Sequence, residues 1–143
     1  MNTLIELFDE RPIENVLATE VFRPSKVFFL INDTDDQIRE LKKLYTSYYA
    51  RKGINTEVNF VRADMFDAYD VLARLEEIIN NNPDCALDIT GGTDDSLFAS
   101  GLLLSKVNIP VFTYSRRKNM FFNITNASFA DYYPNPLNYS IED

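Results

Sequence analysis

Short apolar runs alternate along this chain with stretches in which apolar residues recur every three or four positions, the pattern of strands alternating with amphipathic helices. The runs predict strands at Thr3–Phe8, Lys26–Ile31, Glu57–Arg62, Cys85–Thr90 and Pro110–Tyr114, with a last one at Met120–Thr125. Between them Ile13, Val16, Leu17 and Val21 line one helical face, and Ile38, Leu41, Tyr45 and Tyr48 a second. Ala68, Val71, Leu72, Leu75 and Ile79 line a third, and a fourth helix is predicted over Ser96–Lys106. Punctuation agrees with these spans: Pro12 suits a first helical turn, Thr34 with Gln37 forms a capping box, Gly53 follows the second helix and Pro83 the third.

Strand, helix, strand repeated in this way gives a parallel sheet with right-handed crossovers. The expected class is α/β, a Rossmann-like three-layer sandwich whose mainly parallel sheet has the order 3-2-1-4-5 plus a C-terminal hairpin strand. In that order the topology reverses between the first and fourth strands, and ligands bind outside the carboxyl ends of the strands at the reversal. The loop Asp9-Glu10-Arg11 then faces the loop from Thr90 to Asp95. The basic run Ser115-Arg116-Arg117-Lys118-Asn119 falls in the hairpin at the same end of the sheet. Residues 1–126 are expected to form the domain. Residues 127–143, with Tyr132, Tyr133, Pro134, Pro136 and Tyr139, read as a linker or docking tail that meets a partner subunit or a further domain.

The chemistry concentrates at Thr90-Gly91-Gly92-Thr93. A strand that ends in paired glycines and feeds a helix turns several backbone N–H groups toward one point. The absence of Cβ atoms lets a ligand approach, and the helix adds the positive end of its dipole. Two of the chain's four glycines stand here, and Gly101 lies in the following helix. The bland alternative is a tight connection in which Thr93 caps the helix and nothing binds.

Composition narrows what can bind. With 22 acidic and 14 basic residues the net charge is −8, which argues against long nucleic acid but leaves a small anion in a local pocket open. No histidine is present, so Ser-His, Cys-His and His-zinc chemistry are excluded. The single Cys85 cannot pair within the chain and fits a reducing, cytoplasmic setting. Neither a signal peptide nor a membrane span is recognisable, and no residue set specifies a metal or other cofactor.

The run Leu87-Asp88-Ile89-Thr90-Gly91-Gly92-Thr93, with Ala99 in the helix that follows, resembles the signature of CARF domains, the CRISPR-associated Rossmann folds, in their Card1-like branch. The opening Leu4–Leu17, with its acidic loop and Pro12-Ile13-Glu14-Asn15, is similar to that branch as well. The resemblance implies a homodimeric sensor that binds a cyclic oligoadenylate across its two-fold axis, sits beside a C-terminal effector domain, and at most cleaves the ring slowly without metal. It maps the ligand turn onto Thr90, Gly91, Gly92 and Thr93, with Arg11, Arg116 and Arg117 as available countercharge. This chain departs from the family in having Asp94 and Asp95 where lysine usually follows the motif, and Asp9 where many relatives carry a hydroxyl. Each places negative charge near a polyanion, at a cost of about 1 to 4 kcal/mol for a close contact.

Asp9, Glu10, Asp94 and Asp95 therefore carry two readings: acids that favour helix N-termini, or an oxygen-ligand Mg²⁺ site for a phosphoesterase. A third possibility is a dimerisation module whose acidic cleft has lost its ligand. Asp88, inside a strand covered on both faces, must find a donor, either a loop amide or the glycine turn that it would hold in place.

Overall fold

The computed structural model describes residues 1–8 and 10–125, apart from the side chains of Pro12 and Ile13, together with the backbone of 132–134. Its elements are β1 (Thr3–Leu7), α1 (Pro12–Phe22), β2 (Lys26–Ile31), α2 (Asp35–Arg51), β3 (Glu57–Arg62), α3 (Ala68–Asn81), β4 (Cys85–Asp88), α4 (Asp94–Leu104), β5 (Val111–Ser115), β6 (Met120–Asn123) and β7 (Tyr132–Pro134). They form one sheet of order β3-β2-β1-β4-β5-β6-β7. The first five strands in that order are parallel, and β6 and β7 add antiparallel at the edge. The Rossmann-like arrangement expected from the alternating pattern is the one observed.

Each face of the sheet buries the apolar stripe of a helix pair. Ile5, Leu7, Leu30 and Leu87 pack against Val71, Leu75, Ala99 and Leu103 of α3 and α4. Leu4, Phe29, Ala86 and Phe112 pack with Val16, Leu17, Tyr45 and Tyr49 of α1 and α2. The period-2 alternation of β1 and β4 thus sends Leu4, Glu6, Ala86 and Asp88 to the α1–α2 side.

Several boundaries differ from the expected ones by one or two residues, among them the ends of β1, β5, β6 and α4, and two of the differences have causes in single side chains. β4 stops at Asp88 instead of Thr90, because the Asp88 carboxylate accepts the Thr90 N–H at 3.0 Å and its hydroxyl at 2.6 Å, bending the chain into the turn. α4 begins at Asp94, two residues before the predicted start, because Thr93 is the N-cap and its hydroxyl accepts from the Ser96 amide. The capping role foreseen for Thr34 is present, with its hydroxyl accepting from Gln37 N at 3.2 Å. Beyond the expected hairpin the sheet gains β7, three residues of the proline-rich tail laid along β6. Residues 126–131 and 135–143, Tyr139 among them, lie outside the described residues, as does Asp9. No helix among the described residues is long and apolar enough to cross a membrane.

Candidate ligand-binding cleft

At the carboxyl ends of β3, β2, β1 and β4 the structure opens a cavity of about 550 Å³. The loop after β1 contributes Phe8, Glu10 and Arg11, the loop after β2 Asn32 and Asp33, the segment before α3 Met65 and Phe66, and the turn after β4 Gly91, Gly92 and Thr93. The reversal between β1 and β4 has brought the two distant loops together, as the strand order predicts.

The turn's two glycines do different work. Gly92 N–H closes the turn on the Ile89 carbonyl at 3.2 Å, so that amide is spent internally. A Cβ on Gly92 would lie 2.8 Å from Leu7 Cδ1, 2.9 Å from Ser96 Oγ and 3.0 Å from Leu97 Cδ2, so glycine here lets α4 press against the end of β1. The N–H groups of Gly91 and Thr93 have no acceptor among the described residues. Those two amides, at the positive end of α4, are the ones an anion can take. Thr93 also donates its hydroxyl to Met65 O at 2.6 Å, fixing the floor of the cavity.

Thr90 faces inward. Its hydroxyl donates to Asp88 and accepts from Tyr114 N at 2.9 Å, which stitches the turn to β5. Behind it sits a carboxyl pair that sequence reasoning did not anticipate. Glu6 is the register partner of Asp88 across β1 and β4, and both are buried. Burial, and then the neighbouring Asp88 carboxylate, push the Glu6 carboxyl well above its usual 4.5. Burial also raises Asp88, against the lowering effect of hydrogen bonds from Glu6 and Thr90. Glu6 therefore holds the proton and donates it to Asp88, which in turn holds Thr90.

This pair predicts a pH effect. A raised folded-state pKa stabilises the protein fully below the unfolded value of 4.5, and that contribution is lost as pH rises through the folded value. Glu6→Gln keeps a donor that does not titrate. It is expected to melt like the wild type near pH 4 and to gain about 1–3 kcal/mol over it by pH 8. Thermal melts across that range that ran parallel for the two proteins would refute the shared proton.

The basic residues separate. Arg11 lines the cavity and also pairs with Glu14 Oε2 at 2.8 Å. Arg116, from the β5–β6 hairpin, reaches the other oxygen of the same buried carboxylate at 3.2 Å. Glu14 thus ties the start of α1 to a loop 102 residues away. Arg117 is exposed at the hairpin tip and is not among the residues lining the cavity. Asp94 and Asp95 occupy the first turn of α4, where the dipole favours them, and they also stand outside the cavity lining. Among the described residues, the acids that do line it are Glu10 and Asp33. Among the described residues no three His, Cys, Asp or Glu side chains come together as metal ligands.

No known family's sequence profile matches the chain, and no curated protein matches it in sequence. Solved structures do match in three dimensions. Can2 from Sulfobacillus thermosulfidooxidans, determined in complex with cyclic tetra-adenylate, superposes with a TM-score of 0.75 and 17% identity over 90% of this chain and 36% of that one. Protein VC1899 from Vibrio cholerae gives 0.64 and 12%, over 83% of this chain and 32% of that one. A type III CRISPR defence DNA nuclease activated by cyclic oligoadenylate gives 0.58 and 16%, over 86% and 20%. This chain has their fold. The CARF resemblance drawn from the glycine turn is borne out at that level, in a chain spanning between 20% and 36% of the length of these proteins.

Proposed function

We propose that the domain is a sensor that binds a cyclic oligoadenylate in the cleft between the β1 and β4 loops. The observation that carries this reading is the turn itself. Two unspent amides at a helix N-terminus, with Arg11 opposite, line a cavity at the switch point of a fold shared with a cyclic tetra-adenylate complex. The ring's phosphates meet Gly91, Thr93 and Arg11, and Gly92 sets the shape of the turn.

The reading includes a homodimer. Phe66 just before α3 and Tyr69 in its first turn are 74% and 76% exposed, and Leu97 and Phe98 near the start of α4 are 39% and 62% exposed. The Thr93–Met65 hydrogen bond holds these two helix starts side by side at the rim of the cavity. An apolar rim of this kind supports pairing of two copies around one ring. An effector domain joined beyond the tail completes the proposal.

Calorimetric titration with cyclic tri-, tetra- and hexa-adenylate, with and without Mg²⁺, tests it. Binding of one ring by two chains, independent of Mg²⁺, is the expected result. Heat only with Mg²⁺ would favour a carboxylate-metal site, and no heat in either buffer would leave a ligand-free module. Within the cleft Glu10 opposes the polyanion. Glu10→Gln is expected to tighten binding about fivefold at low salt, the effect of ~1 kcal/mol from one screened charge, and unchanged affinity would remove Glu10 from the ligand's surroundings.

A further inference from the structure

A second recess, of about 520 Å³, runs along α2 beside α1. It lies across the sheet from the rim formed by α3 and α4, and it meets the ligand cleft at Phe8, Glu10 and Asp33, which line both. Leu41, Leu44, Tyr48 and Arg51 line it with the 3-4-3 spacing of a seam that receives another helix. Leu44, in the middle, is 56% exposed although it is a large aliphatic side chain on a regular helix.

The two ends of the groove carry opposite charge. Glu10 and Asp33 line it beside the start of α2, and Arg51 lines it in the last turn. Among the described residues neither Glu10 nor Arg51 has an ion-pair partner. A surface that is acidic at one end, apolar in the middle and basic at the other is complementary to itself turned end for end. A two-fold axis makes that turn, and an identical chain presents the matching surface in register.

We propose that α2 is a docking surface for α2 of a second copy, antiparallel, with the two-fold axis passing beside Leu44. Leu44 packs against its counterpart, and Arg51 of each copy faces Glu10 and Asp33 of the other. The contact is one helix wide, so the association is weak and concentration-dependent. It uses a different helix face from the cleft pairing proposed above, although Glu10 and Asp33 line both the cleft and the groove. Both contacts together link copies into assemblies larger than a dimer.

Sedimentation velocity separates the two contacts. In a Phe98→Asp background, which removes the cleft rim, the protein is expected to dimerise with rising concentration, and Phe98→Asp/Leu44→Asp to stay monomeric. Raising salt is expected to weaken the dimer, because the charged ends lie at the surface. A Phe98→Asp protein that is monomeric throughout, or an association that survives Leu44→Asp, would overturn the proposal without touching the ligand reading. Disulfide trapping gives a second readout. Leu44→Cys is expected to form a covalent dimer at least tenfold faster than Thr46→Cys on the exposed side of the same helix. The native Cys85 does not compete, being buried with its thiol pushed up to about 11. Equal trapping at positions 44 and 46 would show random collision and refute the pairing.

Discussion

Asp88→Ala is expected to lower the melting temperature by on the order of 10 °C. The Asp88 carboxylate accepts the Thr90 amide at 3.0 Å and the Thr90 hydroxyl at 2.6 Å, and the same hydroxyl accepts from Tyr114 N. Alanine removes the acceptor of both Thr90 bonds, frees the hydroxyl that receives Tyr114 N, and leaves the buried Glu6 carboxyl facing a void. Glu6 Oε1 already has no partner among the described residues, so the loss is not made good nearby. Losing hydrogen bonds to a buried charged group costs about 2–4 kcal/mol in total. Asp88→Asn keeps an oxygen for Thr90 and is expected to lose less than half as much. Thermal melts of the three proteins check this, and an alanine variant as stable as the wild type would show that Asp88 does not hold the turn.

Gly92→Val is expected to destabilise the fold by about 1–3 kcal/mol and to weaken ligand binding by tenfold or more. The added Cβ alone would meet Leu7, Ser96 and Leu97 at 2.8–3.0 Å. Leu7 is 1% exposed and cannot swing away, so the turn must yield, carrying the Gly91 and Thr93 amides with it. Gly101 is the internal comparison. A Cβ there meets nothing within 4 Å, so Gly101→Ala is expected to stabilise α4 by about 0.5–1 kcal/mol. Parallel melts and titrations of the two variants separate a glycine required by packing from one that is not. Equal behaviour of the two would contradict the tight approach of α4 to β1.

Much of this arrangement was legible in the sequence because its causes are local. The apolar runs of β2 and β3 define those strands to the residue, and Thr34 and Thr93 announce their helices through a single side chain. The reversal between β1 and β4 followed from the alternation of elements alone. What stayed hidden depends on register and on distant loops. Glu6 reads as one polar residue in an apolar strand until the pairing of β1 with β4 sets it beside Asp88. Glu14 looks like an ordinary first-turn acid until the hairpin delivers Arg116 to it. Asp33, which lines the cleft beside the expected Glu10, comes from a loop whose sequence gives no sign of facing the glycine turn. β7 was hidden by Pro134, which argues against a strand except at a sheet edge, where it lies.

The central claim is that the Gly91 and Thr93 amides hold a phosphate of a cyclic oligoadenylate. Amide-resolved NMR of ¹⁵N-labelled protein, titrated with cyclic tetra-adenylate, tests it most directly. Downfield shifts of both signals, complete at half an equivalent of ring, are predicted. Ring binding that leaves the Gly91 and Thr93 amides unmoved would contradict the account.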